Sequence, residues 1–502
     1  MARYLGIDAG TTSMKAAVFD AAGNLLGIDR QEYALRTPAP AIVELDPEIY
    51  WQACCRAIRS ALAQSGSQPH EVQALSISSQ GETIILLDQH GRQTRDAIVW
   101  LDNRAVEEAG LIAAAFGADQ VFEVTGEADI APTWPSSKML WVRRHEPEVF
   151  ARTTKVLLLE DYLLYRLTGE VVTERCLQAD TLFLDIRSGD WWQPMFQFVG
   201  VTPDHMGRLC DPGEIVGTLT PAAAAATGLT TATVAVTGAM DQMMGALGAG
   251  NVAPGLATET TGGALAIVVT LDRLMLDPAR RMPTMYHARP RTYVLMPWSQ
   301  TAGMALKWFR DAFYASESAA ALAAGLDPYT VICDEATAIA PGADGLVVLP
   351  HLEGAACPEF NPLARAVFFG ATLRHTRAHF ARGILESVAF MLKRNLDLIE
   401  GLGIRVDRIR SMGGGARSRM WLQIKADVLQ KPVEAVEVEE AALLGAALLA
   451  ATAAGEFAGI EEGVARMVRI RETLEPNPAN SAVYGEAYAQ YVALYDRLAP
   501  MF

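Results

Sequence analysis

Residues 4–15 read Tyr4-Leu5-Gly6-Ile7-Asp8-Ala9-Gly10-Thr11-Thr12-Ser13-Met14-Lys15. An apolar run ends in an acid, a short turn of glycine and hydroxyl side chains follows, and Met14 to Phe19 is apolar again. That pattern is strand, tight turn, strand. Asp20-Ala21-Ala22-Gly23-Asn24 makes a second turn and Leu25 to Asp29 a third strand, so the chain opens as a three-stranded meander. Asp46-Pro47-Glu48 then opens a helix, with Asp46 as N-cap and Pro47 at the first helical position. Val72 to Ser78 and Ile84 to Asp88 read as further strands.

The second half repeats this grammar. Thr233 to Thr237 is strand-like, and Thr258 to Thr270 is strand, turn, strand around Thr260-Thr261-Gly262-Gly263. Val406 to Met412 reads as a strand, Gly413-Gly414-Gly415 as a turn, Arg419 to Leu429 as a helix and Lys431-Pro432-Val433 as the start of a short strand. A cluster of breakers from Gly248 to Gly255 separates the halves. Strands alternating with helices on both sides predict two α/β domains, 1–250 and 251–502.

Composition narrows the function. Of 502 residues, 51% are hydrophobic and 20% charged, which excludes disorder as the main state. Forty-two basic residues against 58 acidic ones give a net charge of −16, which argues against general nucleic-acid binding. Six cysteines without a C-x-x-C pair point to reduced thiols and a cytoplasmic protein. The most apolar stretch, Ala441 to Gly455, is too short to span a membrane. His375 and His379, spaced i, i+4, lack a nearby third ligand in sequence and read as a solvated helix face.

Four segments carry chemistry. The turn after Asp8 offers backbone N–H groups, the hydroxyls of Thr11, Thr12 and Ser13, and the Lys15 charge to an anion, while Asp8 offers a carboxylate to Mg²⁺. Read alone, it fits an ordinary β-turn equally well. The second Thr/Gly turn, at Thr261 and Gly262, favours the phosphate reading. Gly413-Gly414-Gly415 lets backbone approach a flat ligand such as a purine, or simply enters the following helix. Gly238-Ala239-Met240-Asp241-Gln242 puts an acid at the head of an apolar helix, where it can accept a hydroxyl proton or serve as the N-cap, or both.

Taken in order, these segments resemble the FGGY family of carbohydrate kinases, of the actin, hexokinase and Hsp70 ATPase superfamily. The resemblance runs from about Tyr4 to about Ala454 and includes Trp134-Pro135-Ser136-Ser137-Lys138-Met139-Leu140-Trp141, Ala366 to Glu386, and Gly413 to Asp427. It implies two RNase H-like domains closing around ATP, Mg²⁺ and a sugar. It implies Asp241 as general base, with Asp8 and Asp241 near the metal. Gly10, Thr11, Thr12, Ser13, Lys15, Thr261, Gly262, Gly303, Gly414, Gly415 and Ser418 would serve the nucleotide. Homo-oligomers, a homodimer among them, are also implied.

The acceptor is expected against Gly81, Glu82, Asp102, Trp134, Asp241 and Gln242. Glu82 suits two adjacent hydroxyls. Gly81, where xylulokinases carry Met and glycerol kinases Arg, is read as enlarging the pocket. Asp102, just after the Glu82 hairpin, either lines the pocket or pairs with Arg104; Trp134 packs on the sugar carbons or in the core. A pentulose such as D-xylulose is the first expectation and a glycerol- or erythritol-type polyol the second. A sugar-sensing protein without catalysis is the alternative of another class, and the presence of Asp241 and the Asp8 loop argues against it.

Overall fold

The computed structural model describes residues 2–502, which form two compact units. The first comprises Met1–Val252, Asp272–Val294 and Glu440–Val468; the second comprises Ala253–Leu271, Leu295–Glu439 and Arg469–Phe502. No helix among the described residues is long and apolar enough to cross a membrane, and no disulfide forms among them.

The first unit is built on a six-stranded sheet in the order Ile215–Thr218, Val234–Met240, Val72–Ser79, Arg3–Ala9, Ser13–Asp20, Leu25–Glu32. The opening meander is antiparallel, and Arg3–Ala9, Val72–Ser79 and Val234–Met240 run parallel. Parallel strands end on one edge of a sheet, so Asp8, Ser78 and Asp241 emerge there together. Alternation separates the faces of the central strand. Leu5, Ile7 and Ala9 pack in one core with Tyr50, Ala53 and Ile58 of helix Pro47–Ser65, which Asp46 caps by accepting from Glu48 N. Gly6 faces the other way, where a Cβ would lie 2.1 Å from the Leu443 carbonyl oxygen.

Strand Val234–Met240 runs beyond the expected end at Thr237. Its register with Val72–Ser79 shifts between Val236 and Ala239, and Gly238 makes the shift possible: a Cβ there would lie 1.7 Å from the Ile77 carbonyl oxygen. The glycine is thus a bulge inside a strand, and the bulge delivers Asp241 to the sheet edge.

Packing divides the chain differently from a single cut at 250/251. Segments 272–294 and 440–468 belong to the first unit. Helix Ala441–Ala453 is the reason for the second of these: it is apolar on every side, so it must be covered all round. Two close approaches seat it on helix Asp241–Gly248. A Cβ on Gly248 would lie 1.8 Å from the Ala441 carbonyl oxygen, and one on Gly445 would lie 2.2 Å from that of Met244. Gly248→Ala is therefore expected to destabilise the first unit by about 1–3 kcal/mol through overpacking. Urea unfolding checks this, and an unchanged midpoint contradicts it.

The second unit repeats the pattern. Its sheet carries, in order, Leu265–Leu271, Gly255–Thr261, Val406–Met412, Val433–Val436 and Ile470–Leu474. The first pair is antiparallel, the next two parallel and the last antiparallel. Of the two histidines read as a solvated helix face, only His379 lies in a helix, in the first turn of Arg377–Gly401. His379 is buried and bonds Thr376 in a capping box, while His375 precedes the helix and bonds Thr372.

Candidate active site

The turn after Asp8 is held by a bond of its own and by groups from two distant segments. Gly10 N donates to Ser13 O at 3.1 Å, the Tyr33 hydroxyl to Gly10 O at 2.5 Å, and Trp100 Nε1 to Thr11 Oγ1 at 2.8 Å. Thr12 is exposed and the Ser13 side chain buried. Asp8 accepts from Ser78 Oγ at 3.1 Å and lies 3.7 Å from Lys15 Nζ. Lys15 is not the bare cation expected of it, because Glu440 takes a 2.6 Å hydrogen bond from the same ammonium. Burial raises the Asp8 carboxyl above its ordinary range, against the pull of Lys15.

Asp241 is the first residue of helix Asp241–Gly248, with Met240 in the cap position, so it is not the N-cap that its place in sequence also allowed. Burial, and then the Asp8 charge, push its carboxyl up to about 7 while Gln242 hydrogen-bonds it. That value suits a proton acceptor working near neutrality.

The hairpin that carries Glu82 is under strain. Glu82 has φ 56°, a left-handed conformation rare outside glycine, and Thr83 N donates across it to Gly81 O at 2.6 Å. Lys138 clamps the turn from beneath: its buried Nζ donates to the carbonyls of Glu82 at 3.0 Å and Trp100 at 3.4 Å. Burial pulls this ammonium down to about 8.

Gly81 does not leave open space. A Cβ at that position would lie 2.4 Å from Asp180 Oδ2, so the room freed by the glycine is filled by a second carboxyl. Asp180 hydrogen-bonds Glu82, and burial together with this neighbour raises the Glu82 carboxyl well above its ordinary range. Burial also lifts Asp180, to about 7, with Asp241 and Asp129 adding to the rise. Glu127 is raised by burial and by Asp180. Glu82 Oε2, Glu127 Oε1 and Gln242 Oε1 are buried without a hydrogen-bond partner. Neither Asp180 nor Glu127 belongs to a motif, and no local signal singles them out.

Two expected acceptor residues have other work. Asp102 is fully buried, with both oxygens committed: Oδ2 accepts from Val43 N at 2.6 Å and Arg104 Nη2 at 2.7 Å, and Oδ1 from Arg104 N at 3.0 Å and Nε at 2.8 Å. It anchors a loop and does not line the pocket. Trp134 is buried at the start of helix Pro135–His145, and its Nε1 donates to the Asp129 carbonyl at 3.1 Å. It holds the Asp129 loop in place.

In the second unit, all six residues expected at the nucleotide gather around one cavity of ≈ 570 Å³: Thr261, Gly262, Gly303, Gly414, Gly415 and Ser418. That volume is ordinary for a small-molecule site. Two glycines make the wall. A Cβ on Gly303 would lie 2.2 Å from Gly262 O, and one on Gly415 would lie 2.7 Å from Thr261 Cβ. Gly262 itself has open space above it. Thr261 differs from expectation, because its hydroxyl donates to buried Glu259 at 2.6 Å and accepts from Lys425 Nζ at 3.0 Å. Its side chain fixes the turn from behind instead of reaching a phosphate. Ser418 caps helix Arg419–Leu429 by accepting from Trp421 N at 3.3 Å. Tyr329 and Cys333, from helix Pro328–Thr337, complete the lining and carry no sequence signature. Lys307 lines the same cavity and pairs with Asp311 at 2.7 Å.

No group of three or more His, Cys, Asp or Glu side chains converges to hold a metal unaided among the described residues. One or two carboxylates are what Mg²⁺ asks of a protein when phosphates supply the remaining oxygens.

Comparison with known proteins agrees with this layout. Residues 3–248 match the N-terminal domain of the FGGY family of carbohydrate kinases, and residues 261–454 match its C-terminal domain. The chain is 32% identical over 499 residues to the xylulose kinase of Escherichia coli K12, covering 99% of both chains. It is 31% identical over 454 residues to the gluconokinase of Bacillus subtilis, covering 90% of this chain and 88% of that one. The crystal structure of xylulose kinase from Rhodospirillum rubrum superposes with a TM-score of 0.89 at 30% identity, covering 99% of each chain. The two-unit α/β fold is that of the sugar kinases in the actin, hexokinase and Hsp70 ATPase superfamily. With both halves matched in order and one fold throughout, the chain belongs to the FGGY family of carbohydrate kinases.

Proposed function

We propose that this kinase transfers the γ-phosphoryl group of ATP to a hydroxyl of a neutral pentulose, D-xylulose first, with Asp241 as proton acceptor. One observation carries the choice of acceptor. Glu82, Glu127, Asp180 and Asp241 interact in one cluster, Glu127 and Asp180 buried and Glu82 and Asp241 half-buried, with exposed Asp129 at its edge, and buried acceptor oxygens of Glu82, Glu127 and Gln242 lack donors. Buried acceptors call for hydroxyl donors. A sugar supplies them, whereas a carboxylate on the acceptor would add a like charge. The named relatives include both xylulose kinases and a gluconokinase, and the cluster favours the neutral sugar of the former.

The reaction asks for positioning, charge neutralisation and a place for one proton. As the sugar oxygen forms its bond to phosphorus, its proton passes to an Asp241 carboxylate oxygen, and the bond from phosphorus to the β-phosphate oxygen breaks to release ADP. Asp8 would hold Mg²⁺ beside the phosphates, where the ion offsets their charge. The glycine-walled cavity of the second unit would seat the nucleotide. Lys138, by clamping the strained turn at Glu82, keeps that carboxyl aimed at the acceptor.

Coupled ADP release with ATP and Mg²⁺ tests the reading. The panel is D- and L-xylulose, D- and L-ribulose, glycerol, erythritol, xylitol and gluconate, with a no-acceptor control. D-xylulose is expected to be preferred, with kcat/KM for gluconate lower by about 100-fold, the scale on which like charges oppose binding. Preference for gluconate, or ADP release independent of acceptor, contradicts it. Preference for erythritol or xylitol would select the polyol reading of the same residues.

A further inference from the structure

Gly81 and Asp180 come from distant parts of the chain and fit each other as a lock: the absent side chain of one is the space occupied by the other, with a Cβ at Gly81 placed 2.4 Å from Asp180 Oδ2. Asp180 is held rigidly there. It sits in the short turn Ala179–Thr181, departs from helical backbone at φ −90°, ψ 28°, and is followed by Leu182 at φ 65°. Thr181 Oγ1 donates to Gln178 O at 2.7 Å, and Gln178 Nε2 donates to Thr173 Oγ1 at 2.9 Å, so the turn is braced on both sides. Asp180 is buried and hydrogen-bonds Glu82, and Glu82 Oε2 has no partner.

Two carboxyls bond each other only by sharing a proton. The shared proton lies between them, so the pair presents its remaining carboxyl oxygens as acceptors, which the hydroxyl donors of a hydroxylated carbon chain match. Glu127, Asp129, Cys176 and Asp241 also face Asp180. The cation that faces it, Lys138, already spends its ammonium on the carbonyls of Glu82 and Trp100. Nothing in this cluster would compensate a further negative charge.

We infer that Asp180 is a specificity-determining residue of the acceptor site: hydrogen-bonded to Glu82 in the space left by Gly81, it selects acceptors that present neutral hydroxyls and rejects those bearing a carboxylate. The inference rests on the proposed sugar-kinase reading and adds to it the residue that sets the choice.

The test measures kcat/KM for the best neutral sugar of the panel and for gluconate, with the full chain, ATP and Mg²⁺, in wild type, Asp180→Asn and Asp180→Ser. The Asn variant keeps the shape and puts an amide N–H donor where the carboxyl has only acceptor oxygens. It is expected to raise the gluconate-to-sugar ratio by about 10-fold or more, through a lower gluconate KM, because an N–H donor then faces the gluconate carboxylate. KM for ATP should not move, which separates a selective effect from general loosening of the fold. Asp180→Ser should shift the same ratio in the same direction, so the inference does not depend on one variant folding well. A ratio within about two-fold of wild type in both variants, while wild type phosphorylates a neutral sugar, overturns the inference and leaves the sugar-kinase reading intact. A wild-type enzyme that phosphorylates no sugar overturns that reading and this inference together.

Discussion

Asp241→Asn lowers kcat/KM for the sugar by about 10³-fold or more, the range expected when a general base is removed, and leaves ATP affinity unchanged. The carboxyl stands at the end of strand Val234–Met240, delivered there by the Gly238 bulge and fixed on the first turn of a helix. Asparagine fits the same space but accepts no proton. The glycine-walled cavity expected to seat the nucleotide belongs to a different unit of the chain from Asp241, so equilibrium binding of ATP should not follow activity down. A second consequence concerns stability. The folded Asp241 carboxyl titrates at about 7, above its ordinary 3.8. Its protonated form therefore favours the folded state: the contribution is full below about 3.8 and lost as pH rises through about 7. Asp241→Asn removes this loss. In metal-free buffer without nucleotide, the variant is expected to melt higher than wild type at pH 8 and to match it more closely at pH 5. An inactive variant that is also less stable at pH 8 would mean that Asp241 is a structural residue.

Lys425→Met is expected to destabilise the second unit by about 3–5 kcal/mol, the cost of leaving a buried charge without its partner. Lys425 and Glu259 are both fully buried, with Nζ 2.5 Å from Oε1. Ser411 and Thr261 complete the network by donating to the same carboxylate. Removing the ammonium strands Glu259 under the turn that carries Gly262. Denaturant unfolding reads the loss of stability. Protein that remains folded should show a raised KM for ATP, because the Thr261–Gly262 turn loses its brace. The double variant Glu259→Gln, Lys425→Met should recover most of the stability, since no buried charge is then left alone. A single variant within about 1 kcal/mol of wild type would contradict the assignment.

What could be read from the sequence was what the chain encodes locally. Both Asp/Gly/Thr and Thr/Gly turns lie between strands where the alternation of apolar and breaker residues put them. Helix Arg419–Leu429 follows its triple glycine, and Pro47 opens the first helix under its Asp46 cap. The six second-unit residues among the eleven expected at the nucleotide share one cavity, because each sits at a sheet edge or helix entry that short-range signals define. What could not be read depends on partners far away in the chain. Lys15 looks like a free cation until Glu440 is beside it. Thr261 looks like a phosphate ligand until Glu259 and Lys425 claim its hydroxyl. Gly81 looks like added room until Asp180 fills it. Asp102 follows the Glu82 hairpin closely in sequence, yet Arg104 and the Val43 backbone N–H turn it away from the pocket. The apolar run from Ala441 to Gly455 is plain in sequence, but only the all-round burial of the helix it forms shows that it belongs with the first unit.

A sugar hydroxyl is expected to take the phosphoryl group while Asp241 receives its proton. This is tested most directly by analysing the products of one reaction of ATP, Mg²⁺ and D-xylulose by mass spectrometry together with an ADP assay. Wild type is predicted to yield one sugar phosphate for each ADP, and Asp241→Asn neither within the same time. ADP accompanied by inorganic phosphate and no sugar phosphate, or sugar phosphate formed equally fast by Asp241→Asn, would contradict the account.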